Sequence, residues 1–133
     1  MQDRPTAPEL TEAVAQFLSE ELAPTVTDPR LRFRVLIAAN LMQIVTRELS
    51  AGDGPLRDEQ ARLLALLDRD ASELPSADDL RQSIDALGHE LRARIRAGEA
   101  DEGSWHTLVA AYAEISLIEK LRIANPKFLQ RVQ

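Results

Sequence analysis

The sequence predicts an all-α protein, an up-down helical bundle of about five helices forming a single domain over residues 1–133. Three observations predict it. Apolar residues recur at spacings of three and four, the period of a helix with one buried face. Aromatic residues make up only 4% of the chain, so a core must be assembled from Leu, Ile, Val and Ala, a palette that favours helix over sheet. Proline, glycine and small polar residues fall between the periodic segments, where helices start and stop. With 44% hydrophobic and 29% charged side chains in 133 residues, the chain can build one continuous core and is too apolar for general disorder.

The first helix opens on the capping box Thr6-Ala-Pro-Glu9, with Pro8 in its first turn. Leu10, Val14, Phe17, Leu18 and Leu22 form its apolar side, and Pro24 is expected to end it. Asp28 and Pro29 start the second helix. Its seam of Leu31, Val35, Ala38, Met42, Val45 and Leu49 is widened by Phe33, Ile37, Leu41 and Ile44, which predicts a central position with little free surface. Gly52-Asp-Gly-Pro55 stops it. The third helix runs from about Pro55 to Asp68 with five leucines, and a polar link through Ser72 and Pro75 follows. The fourth starts at the capping pattern Ser76-Ala-Asp-Asp79, carries Leu80, Ile84, Leu87, Leu91 and Ile95, and stops at Gly98. The fifth spans Ser104 to Ala124 and is closed by Asn125-Pro126. Trp105, Leu108, Val109, Tyr112 and Ile115 line one side, leaving Leu117, Ile118 and Leu121 on the other as an expected interface. Short connections imply antiparallel neighbours.

Composition narrows the function. The net charge is −6 with no basic stripe, which argues against nucleic acid. The chain has no cysteine, so disulfide and thiol chemistry are excluded. The polar N-terminus and the lack of a long apolar run predict a cytoplasmic protein without a membrane segment. No metal or cofactor is expected. His89 and His106 each follow a carboxylate by four residues, Asp85 and Glu102, and such pairs read as solvated i,i+4 contacts rather than ligands. Ser116 has neither nucleophile elbow nor base.

Charges on apolar faces are the informative exception. Helical counting at 100° per residue places Arg34 in the core arc of the second helix, Glu21 on the apolar face of the first and Glu119 on that of the fifth. In an up-down bundle these three meet at one end, either as a buried ion-pair cluster or as a polar pocket in which Arg34 meets a ligand anion. Arg94 is expected to repeat the arrangement at the opposite end with Glu59. Asn40, at the edge of the second helix's apolar arc, suits an interhelical hydrogen bond.

Four stretches carry a family resemblance: Met1-Gln-Asp-Arg-Pro-Thr-Ala-Pro-Glu-Leu10, Arg34-Val-Leu-Ile-Ala-Ala-Asn40, Arg94-Ile-Arg-Ala-Gly-Glu-Ala-Asp101 and Ile123-Ala-Asn-Pro-Lys-Phe128. Together they are similar to an uncharacterised bacterial family of helical domains of unknown function. The resemblance spans nearly the whole chain, the Pro55–Ser76 stretch being undistinctive. It implies a shared fold and no known activity. Genes of this family tend to lie beside genes similar to acyl-CoA dehydrogenases and aminoglycoside-phosphotransferase-like kinases, which implies an accessory role in acyl-CoA metabolism. The expected function is therefore a non-enzymatic accessory or protein-interaction module with a protein partner or a second copy of itself. A bundle that binds a small anion or acyl-CoA is the first alternative, and an enzyme of unknown class the second.

Overall fold

The computed structural model describes residues 3–73 and 79–132; the predicted Ser76 cap and Pro75 lie outside them. All regular structure among the described residues is helical. The chain divides into two compact units, Met1–Gly52 and Asp53–Gln133.

The first unit is a helical hairpin. Helix α1, Ala7–Gln16, starts at the predicted capping box: Glu9 N–H donates to Thr6 Oγ1 at 3.4 Å, and Thr6 N–H donates to the Glu9 carboxylate at 2.6 Å. A π-helical stretch, Phe17–Leu22, and a short turn, Ala23–Thr25, continue it. Pro24 therefore does not end the helix where expected. Proline has no N–H for the α ladder, and the chain switches just before it to the wider i→i−5 bonding, Ala23 N–H to Leu18 C=O. Helix α2, Pro29–Ala51, is capped by Asp28, which accepts from Arg30 N–H at 3.1 Å.

The seam between α1 and α2 is made of small residues. Ala15, Ala23 and Ala39 are buried, with Leu18, Leu22, Val35 and Met42 half-buried beside them, and Thr11 and Thr46 share a 2.7 Å hydroxyl hydrogen bond across it. Alanines let two backbones approach closely but leave larger side chains outside the contact. Leu10 and Val14 of α1, Phe17 of the π-helical stretch, and Leu31, Phe33, Leu41, Val45 and Leu49 of α2 are exposed, although their periodicity points to the core. A two-helix unit can cover only one side of each helix.

The second unit is built on α3 (Gly54–Leu67), α4 (Leu80–Arg96), α5 (Ser104–Ala124) and the short α6 (Pro126–Val132). Asp68, in the left-handed conformation, closes α3, and Asp79 caps α4 by accepting from Gln82 N–H at 3.1 Å. The sequence gives no warning of α6, because Asn125-Pro126 reads as a stop. It is also a start: Pro126 suits a first turn, and Asn125 Oδ1 accepts from Phe128 N–H at 3.3 Å.

Leu63 and Leu67 of α3 and Leu87 and Leu91 of α4 form the core, with Ile84, Trp105, Val109 and Tyr112 packed against it. Trp105 Nε1–H donates to Leu66 C=O at 3.0 Å, and Arg94 lies 4.4 Å above its ring. Helix α3 packs against both α4 and α5. The latter two approach each other less closely along their backbones, and the space between them is open. None of the described helices is long and apolar enough to cross a membrane.

Leu63 is fully buried, so Leu63→Ala should lower stability by about 2–5 kcal/mol in urea denaturation. Asp79→Ala, which removes only a cap, should lower it by about 1 kcal/mol; equal losses would mean that Leu63 is not central to the core.

Candidate functional site

The polar centre of the second unit lies where α3 meets α5. On α3, Glu59 falls between Leu56 and Leu63 on the helix's inward side and its side chain is only 12% exposed. A carboxylate so placed requires partners. Helix α5 supplies them from one row of residues at four-residue intervals. The Tyr112 hydroxyl donates to Glu59 Oε1 at 3.1 Å, the buried Ser116 hydroxyl at 3.2 Å, and Lys120 Nζ stands at 3.4 Å. Burial, and then the Glu59 charge and the hydrogen bond to it, push the Tyr112 phenol above its ordinary value of 10.0. One turn away Arg62 and Glu119 form a half-buried ion pair between the same helices, and Gln60 donates to Ser83 at 2.7 Å to tie α3 to α4.

The charged residues singled out from sequence are distributed as follows. Glu119 takes its counter-charge from Arg62. Arg34 is exposed on α2, and Glu21 is exposed in the π-helical stretch, whose wider turn takes it out of the phase counted for an α-helix. The expected Arg94–Glu59 pair is not formed. Arg94 instead donates to Glu99 at 2.7 Å, a nearer carboxylate in the turn that follows α4, while Glu59 is held by α5. Asn40 is exposed; Thr11 and Thr46 supply a side-chain hydrogen bond across the hairpin seam. Of the expected interface residues, Leu117 is exposed, whereas Ile118 and Leu121 are half-buried.

The histidines separate. His89 accepts from Arg92 at 2.7 Å and lies 3.8 Å from Asp85. His106 Nδ1 is 2.8 Å from Ala100 C=O, and the expected pairing with Glu102 is absent because Glu102 precedes the first turn of α5. Among the described residues no three metal-ligating side chains come together.

The first unit carries a different kind of surface. Leu10, Val14 and Phe17 are rotated from the α1 seam, and Leu41, Val45 and Leu49 from the α2 seam, in the same sense by roughly a quarter to a third of a turn at 100° per residue. In an antiparallel pair an equal rotation on each helix brings both rows to one side of the hairpin. All six are between 41% and 56% exposed, so they form an uncovered apolar face of a kind that monomeric proteins seldom present.

The family described as Domain of unknown function (DUF6285) matches residues 24–128, and the chain belongs to it. No curated protein and no solved structure matches the chain.

The chain has one tyrosine, so a phenolate absorbance titration reads Tyr112 alone. Glu59→Gln should bring its pKa down toward 10.0 without reaching it, because burial is the larger cause. With the folded pKa raised, the unfolded chain loses its phenolic proton first. Stability is therefore unaffected well below pH 10 and falls as pH rises past it, and this decline should be shallower in Tyr112→Phe. An unchanged titration in Glu59→Gln would mean that the two groups are not coupled.

Proposed function

We propose that this chain is a non-enzymatic protein-interaction module that pairs with a second copy of itself through the outer face of α2. The observation that supports this is the symmetry of that face about Leu41, which is 56% exposed. Ile37 and Val45, also exposed, stand four residues before and after it, and Arg34 and Glu48 stand seven residues before and after. Seven residues are close to two full turns, so all five positions share a side of the helix.

Laid antiparallel across a two-fold axis through Leu41, two such helices place Leu41 on Leu41, Ile37 on Val45 and Arg34 on Glu48. Each Arg–Glu contact then occurs twice, as an isologous interface requires. A parallel pairing would set Arg34 on Arg34 and Glu48 on Glu48, which repel. The neighbouring row Leu10, Val14 and Phe17 extends the apolar area beyond what one helix supplies, toward the amount that stable dimers bury. Catalysis has less support, since Glu59, the most buried carboxylate among the described residues, is already engaged by three donors. An accessory role toward an enzyme of acyl-CoA metabolism is the wider setting that the family resemblance suggests, and self-association does not depend on it.

Sedimentation of the full chain should give a dimer at micromolar concentration. Leu41→Glu should weaken it by at least about thirtyfold, the effect of losing a central anchor worth roughly 2 kcal/mol, with helix content unchanged. Arg34→Glu should weaken it, and Arg34→Glu with Glu48→Arg should restore it. A wild-type monomer at every concentration, or a dimer indifferent to Leu41→Glu, would overturn the proposal.

A further inference from the structure

We infer that the trough between α4 and α5 binds a small amphipathic carboxylate, with its head at Arg92 and Lys120 and its aliphatic tail along the apolar wall. Two open cavities of about 390 and 350 Å³ share Gly88, Arg92, Tyr112 and Lys120 and so form one continuous trough. Each volume lies in the range of small-molecule sites. The first is walled largely by apolar side chains, among them Leu91, Ile95, Val109 and Leu117. The second brings Arg81, Arg92 and Lys120 together with Glu59 and Asp85. Lys120 stands on Glu59 and Arg92 beside Asp85, at 3.4 and 3.9 Å, and both cations keep exposed side chains.

Two details favour a ligand over simple surface roughness. The Glu59 carboxylate is met by Tyr112 and Ser116 as well as Lys120. The ammonium, with three N–H groups on a side chain that is 68% exposed, can therefore face a second anion while keeping its contact with Glu59. Gly88 is the other detail. A glycine in a helix interior is less favourable than alanine, and this one stands where the two cavities join. A Cβ there would come within 3.2 Å of Arg92 Nη1. The bare backbone lets the guanidinium lie along the wall at the junction of the apolar and charged halves, where the head group of a tailed anion would sit.

The site lies wholly within the second unit and does not depend on self-association. Calorimetric titration of the full chain with decanoate below its micellar range tests it, with decanol, acetate and inorganic phosphate as comparisons. Decanoate should bind saturably and raise the melting temperature, and the other three should bind at least about tenfold more weakly. Lys120→Glu should weaken decanoate binding by about tenfold or more. Ala113→Phe, which narrows the apolar cavity without touching the cations, should weaken it as well. Both variants should keep their helix content by circular dichroism. Decanol binding as tightly as decanoate would reduce the trough to a greasy surface and overturn the inference. So would phosphate binding equally well, absence of saturable binding, or indifference to both substitutions.

Discussion

Glu59 holds a position on α3 where the helix period calls for an apolar side chain, and much of the second unit follows from having to satisfy it. A charge withdrawn from water without partners is destabilising by several kcal/mol, so the helix packed on that side must bring donors to one point. Tyr112, Ser116 and Lys120 do so because their four-residue spacing keeps them in line along α5. The arrangement also selects a register. Turning α5 by one residue would set Ala113, Leu117 and Leu121 against the carboxylate, leaving it without a donor. Leucine packing alone, around Leu63, Leu67, Leu87 and Leu91, discriminates less sharply between neighbouring registers than a charge that must be met. The Arg62–Glu119 pair one turn on repeats the constraint.

The first unit solves its packing with the opposite chemistry. Its seam of Ala15, Ala23 and Ala39 brings two helices close but removes little apolar area from water, and hydrophobic stabilisation scales with that area. Two helices joined this way, with most of their large apolar residues outward, gain little from each other. The large residues of α2 are left to be covered by something else, which is why the symmetry of that helix about Leu41 carries weight.

Most of the fold was legible. Capping residues at Thr6 and Asp28, and stops at Gly52, Asp68 and Asn125, follow from local backbone chemistry, and local chemistry can be read along a chain. Which face of a helix is buried was legible only where one apolar stripe existed, as on α4. On α2 apolar residues cover more than half the circumference, so the period could not say that Val35, Ala39 and Met42 would be inside and Leu41 and Val45 outside. The site was legible in kind, as charges on apolar faces, and less so in pairing. Glu119 does meet an arginine, but it is Arg62, which sits on the flank of the α3 stripe where helical counting does not single it out. Glu59 meets Lys120 rather than Arg94, because Arg94 has Glu99 five residues away. Pairing is a tertiary property and leaves no periodic trace. The row Tyr112, Ser116, Lys120 was the available signal: three hydrogen-bond donors in line on a helix otherwise rich in aliphatics.

The π-helical stretch at Phe17–Leu22 has a consequence for how this hairpin can vary. A π turn holds more residues than an α turn, so the segment behaves as a helix with an insertion absorbed inside it. Exchanging one side chain for another there leaves the phase of the backbone alone. Deleting one residue would let the ladder revert to regular α geometry with the flanking segments still in phase, so that Ala15 and Ala23 keep to the seam, whereas a further residue that the turn could not absorb would swing everything upstream by about 100°. This stretch of chain can lose a residue more readily than it can gain one.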